Sequence, residues 1–89
     1  MDRDPAAAGV QAEVCAAVVQ EFAAVLDLPL AEVDADADFY SALDGVSQQK
    51  LELLARLEDR FATRITDEEA ADLHTVHDFA GLLSTRLQR

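Results

Sequence analysis

The sequence predicts an all-α fold: a four-helix bundle of three longer helices and one short helix, with a long loop between helices I and II. Three observations carry that reading. Apolar residues recur at three- and four-residue steps in separate runs. Ala and Leu dominate, with only 3 Gly and 2 Pro to interrupt helices. The 89 residues, 51% apolar, suffice for one compact core but not for two.

Each element has its own signal. Residues 1–9, "MDRDPAAAG", read as a flexible leader in which Asp4-Pro5 could cap an early helical turn; residues 10–89 read as a single domain. Helix I should span about Val10 to Leu26, with Val10, Val14, Val18, Phe22, Val25 and Leu26 on one stripe. "DLPLAEVDADADFYSAL" breaks the period with Pro29 and scattered Asp, so it is a loop anchored by Leu28, Leu30, Val33, Phe39 and Leu43. Helix II should run from about Ser47 to Ala62, burying Leu53, Leu54, Leu57 and Phe61 and wetting Gln48, Glu52, Arg56 and Asp59. "TDEE" has the spacing of a capping box, Thr66 with Glu69, and opens a short third helix ending near Leu73. Thr75 should cap helix IV, which carries Val76, Phe79, Leu82 and Leu83 on one face, with Arg86 and Arg89 suiting the dipole at its end.

Charge narrows the function. A net charge of −11 argues against nucleic acid and anionic membranes and favours a partner with a basic docking surface. The one cysteine, Cys15, cannot form an internal disulfide and reads as a small buried residue. No apolar run is long enough to span a membrane, and the amino terminus lacks the order of a secretory signal, so a cytoplasmic protein is expected.

The polar motifs are mostly bland. Asp34, Asp36 and Asp38 alternate like the start of a calcium loop, but Phe39 and Gly45 occupy the positions that need Gly and a bidentate Glu. A solvated acidic loop is expected, and no metal. His74 and His77 lack a third ligand for zinc and read as surface residues near a helix start. No residue set suggests catalysis. Ser47 differs by position, on the first turn of helix II at the positive end of its dipole. A phosphate esterified there would meet free backbone N–H groups. Taken alone, a plain helix cap is the favoured explanation of the residue.

The surroundings of Ser47 supply more. "LDLPLAEVDADADFYSALDGVSQQKLELLARLEDRF" and "ITDEEAADLHTVHDFAGLL" resemble the acyl and peptidyl carrier proteins, in the Leu-Pro turn, the Val-Asp-x-Asp-x-Asp-Phe segment, Leu43 before the serine and the Leu-Glu-x-x-Phe pattern after it. The resemblance implies a carrier-protein bundle in which Ser47 bears 4′-phosphopantetheine, derived from coenzyme A, as a phosphodiester. The arm's thiol would hold an acyl or aminoacyl group as a thioester. Such a carrier is no enzyme; it acts as a monomer visiting several partners. Those implied are a phosphopantetheinyl transferase, a loading enzyme of adenylation or acyltransferase type, and downstream synthase or tailoring enzymes. Two positions depart from the family pattern: Val46 stands where Asp or His is usual, and Gln48 where Leu or Ile is usual. They alter the surface a transferase reads and suggest specialised partners, as in natural-product biosynthesis. The expected docking seam is Leu51 and Ala55 bordered by Glu52 and Asp59, with Arg56 marking an acidic spot on the partner. The alternative is a carrier-like scaffold that is never modified.

Overall fold

The computed structural model describes the backbone of residues 5–87 and the side chains of residues 11–87. Helix α1 spans Pro5–Leu26, α2 Ser47–Phe61, α3 Asp67–Ala71 and α4 Val76–Leu87, with a 3-10 turn at Leu30–Glu32. There is no strand among the described residues. The all-α, four-helix reading stands.

Helix α1 begins earlier than Val10. Pro5 takes the first helical position, where its missing N–H costs nothing, and the alanines after it are strong helix formers. Residues 1–4 of the expected leader lie outside the described residues, as do the Val10 side chain and Arg89.

Val14, Val18, Phe22 and Val25 of α1 are buried, as their spacing requires. Helix α1 packs against both α2 and α4. At the centre, Phe22 meets Phe39 edge-on at 5.6 Å between ring centroids and Phe79 at 5.7 Å. Such pairs add modestly to the burial of three large rings. Leu53 and Leu57 of α2 and Val76, Phe79 and Leu83 of α4 complete this core. Leu54, Phe61 and Leu82, expected in the core, are only half-buried and lie at its margin.

The helix ends follow local chemistry. Thr66 Oγ1 accepts the Glu69 N–H at 3.1 Å and Glu69 Oε1 accepts the Thr66 N–H at 3.0 Å, so the expected box closes. Thr75 and Asp78 make the same reciprocal pair at the start of α4, at 3.0 and 3.2 Å. Helix α3 stops at Ala71, short of Leu73. Helix α2 ends at Phe61, and Ala62, which caps it, is left-handed at φ 51°.

The loop holds to the core through Val33 and Phe39, with Leu28 and Leu43 half-buried. Leu30 is the exception. It opens the 3-10 turn after Pro29 and is 55% exposed, because that tight turn directs it away from the bundle.

Candidate functional site

The path from Phe39 to Ser47 is closely specified. The Phe39 N–H donates to His74 O at 2.7 Å, tying the loop to the start of α4. Asp38 Oδ2 accepts the N–H groups of Tyr40 and Ser41, both at 2.9 Å, and so folds the chain back. Those contacts, Ser41 first, hold the Asp38 carboxyl below its usual range. The Gly45 N–H then donates to Phe39 O at 2.8 Å, and Val46 is extended at φ −120°. Ser47 follows as the first residue of α2 and is exposed.

Ser47 is therefore not the cap. Val46 holds that position, and a valine side chain has no oxygen to offer the first-turn N–H groups. Only the reciprocal half of a capping box exists: Gln49 Oε1 accepts the Val46 N–H at 2.9 Å. Gln49 Nε2 also donates to Val25 O at 3.4 Å, joining the start of α2 to the end of α1. An exposed hydroxyl thus stands beside backbone donors that no cap side chain satisfies. A phosphodiester on that oxygen fits, since its charge meets the positive end of a fifteen-residue helix.

Lys50, one turn on, was not anticipated. Its spacing of three, four and seven residues to Leu53, Leu54 and Leu57 puts it on the buried face, and that spacing was the available signal. It is 7% exposed; Nζ donates to Ala70 O at 2.7 Å and lies 5.4 Å from the Tyr40 ring centroid. Burial depresses its pKa, partly countered by Asp38. Ser47, Lys50, Tyr40, Leu51, Leu54, Asp67, Ala70 and Ala71 line a cavity of about 270 Å³ between α2 and α3.

The expected docking seam is exposed along α2. Leu51 is 65% exposed and Val46 55%, with Glu52, Ala55 and Asp59 also open to solvent. Arg56 does not behave as expected. Its Nε donates to Glu21 Oε1 at 2.6 Å, and Arg60 Nη1 donates to Oε2 at 2.8 Å. Burial raises the Glu21 pKa, but the two guanidinium groups outweigh it and the net shift is downward. Arg56 is committed to α1 because Glu21 is nearly buried and needs a counter-charge. No local pattern could have announced a partner on another helix.

The remaining polar residues serve the loop. Asp34 Oδ1 accepts the Asp36 N–H at 2.9 Å, and His77 Nδ1 lies 2.6 Å from Asp36 Oδ1. Both His74 and His77 lie at the α4 end of this loop, His77 exposed and His74 half-buried. Cys15 is half-buried rather than buried, and lines a cavity with Gln11, His77, Ala80, Gly81 and Ser84 between α1 and α4.

Comparison with known proteins agrees with this architecture. The family described as "Phosphopantetheine attachment site" matches residues 16–83. Polyketide-8 synthase acyl carrier protein 2 of Streptomyces avermitilis is 38% identical over 63 residues, covering 71% of this chain and 72% of that protein. An acyl carrier protein of an Exiguobacterium species is 33% identical over 70 residues, covering 79% and 89%. The solved acyl carrier protein of Enterococcus faecalis superposes with a TM-score of 0.71 at 25% identity, covering 84% of this chain and 95% of that one. The chain belongs to the acyl carrier protein family. It is a non-catalytic carrier whose prosthetic group is covalently attached 4′-phosphopantetheine.

Proposed function

We propose that Ser47 is the attachment residue and that the arm it bears carries an acyl group as a thioester in natural-product biosynthesis. One observation carries the first part: the Ser47 hydroxyl is exposed at the first position of a long helix whose cap, Val46, supplies no oxygen. The arm adds a flexible thiol; this chain's residues hold the phosphate end, through the first-turn N–H groups and the helix dipole. Likeness to a polyketide synthase carrier supports the second part.

The partners follow from what a carrier needs: a phosphopantetheinyl transferase, a loading enzyme and downstream synthase or tailoring enzymes. They dock on Leu51 and Ala55, with Glu52 and Asp59 steering a basic rim towards the arm. The setting is cytoplasmic. Among the described residues no helix is long and apolar enough to cross a membrane.

Incubation with coenzyme A and a broad-range transferase, followed by intact-mass measurement, tests the attachment. The expected result is a gain of one phosphopantetheine in the parent and none in Ser47→Ala. An unchanged parent mass would favour an unmodified scaffold instead.

A further inference from the structure

The end of α1 and the start of α2 are joined through the Gln49 side chain. Val25 lies in the last turn of α1, and the residue four positions on is Pro29, which has no N–H to give its carbonyl. Among the described residues no other backbone donor outside the helix reaches that oxygen. Gln49 Nε2 meets it at 3.4 Å. Oε1 of the same amide accepts the Val46 N–H at 2.9 Å, while Val46 O accepts the Lys50 N–H at 3.0 Å. Both polar groups of Val46 are thereby held, directly before Ser47.

A capping box alone does not call for glutamine. At the start of α3 a glutamate, Glu69, closes the box, because only an acceptor is needed there. At Gln49 the side chain must accept at one end and donate at the other, which an amide does and a carboxylate does not. Residues two apart on a helix do not face each other, so half-buried Gln49 grips the bundle while Ser47 stays exposed.

We propose that Gln49 is a positioning residue for the transfer of phosphopantetheine to Ser47, fixing the acceptor hydroxyl on the bundle through Val46 and Val25; this rests on Ser47 being the attachment residue. In the transfer, the serine oxygen bonds to the pantetheine-bearing phosphorus of coenzyme A and the pyrophosphate P–O bond breaks. Adenosine 3′,5′-bisphosphate leaves, and the hydroxyl proton passes to a base of the transferase. Gln49 touches none of these atoms. It holds the nucleophile at the start of α2, where the attack requires it.

The test measures transfer from coenzyme A by a broad-range transferase, with carrier concentration varied and product followed by intact mass. Gln49→Met keeps the bulk and loses both bonds. It should lower kcat about tenfold, as a small misplacement of a reacting group does, and leave the KM for the carrier within about twofold. Gln49→Glu keeps the Val46 bond and loses the Val25 one, so its kcat should lie between those of Gln49→Met and the parent. A KM that rises while kcat holds would overturn the proposal, since Gln49 would then be a contact of the transferase. An unchanged kcat, or a loss no larger than the unfolded fraction seen in thermal melts, overturns it too. If Gln49→Met fails to fold, Gln49→Glu decides: a glutamate still closes the box, and a parent-like kcat there refutes the role of Val25. A parent that gains no mass at Ser47 refutes the attachment itself, a different failure visible before any rate is measured.

Discussion

A Cβ added to Gly45 would sit 2.3 Å from Phe39 Cε2, with two further ring carbons within 2.8 Å. Phe39 is fully buried, so its ring has nowhere to retreat. The bare backbone at Gly45 is what lets the chain cross the ring and deliver Ser47 to the start of α2. Gly45→Ala should therefore destabilise the protein by roughly 1–3 kcal/mol, the usual range for overpacking. Urea unfolding measures this. A variant as stable as the parent would mean that the loop shifts freely.

Ser47→Ala should cost very little. Since Val46 is the cap, the loss should fall below the roughly 0.5–2 kcal/mol of a true cap deletion. Leu57→Ala, which empties a fully buried site, should cost about 2–5 kcal/mol. Phe61→Ala should cost less than a fully buried Phe would, because Phe61 is half-buried. Denaturant melts of the three variants give the order directly; a Ser47→Ala loss as large as that of Leu57→Ala contradicts it.

Glu21 makes stability depend on acid. Its folded pKa lies below the ordinary value of 4.5: burial pushes it up, and the Arg56 and Arg60 contacts more than reverse that. A depressed carboxylate pKa contributes stability that is complete above the unfolded value and is lost as pH falls through the lower folded value. Glu21→Gln should lower the melting midpoint by a few degrees at neutral pH, and the gap to the parent should close on acidification through that window. A gap that persists unchanged at the lowest pH would show that packing, not charge, is responsible.

Ala62 caps the end of α2 at φ 51° and ψ 46°, a conformation that costs an L-residue and suits glycine. Ala62→Gly should stabilise by about 0.5–1 kcal/mol, after allowing for glycine's greater freedom when unfolded. Thermal melts check this, and a lower midpoint would refute it.

Glu52→Arg combined with Asp59→Arg should slow loading by the cognate enzyme at low salt and barely change the melt, since both residues are exposed. Added salt should shrink the difference by screening the steering charges. Equal loading rates at low salt would exclude this face of α2 as the docking surface.

The sequence by itself determined the helical content, the order of the four helices and the serine at the start of α2. These depend on short-range facts: the three- and four-residue recurrence of apolar side chains, the Thr66–Glu69 box, and Pro29 breaking the first helix. A helix's buried stripe is written in its own residues, so Val18, Phe22, Leu53, Leu57 and Phe79 were readable without any partner in view. Which residue caps α2 was not readable, because the geometry turns on Gln49 reaching back to Val46 and across to Val25. The assignment of Arg56 to Glu21 and of Lys50 to Ala70 joins residues far apart in the chain. Only the packed bundle brings them together, and only desolvation there makes each charge demand a particular partner. Pattern told which faces turn inward; tertiary structure decided what the polar groups on those faces would meet.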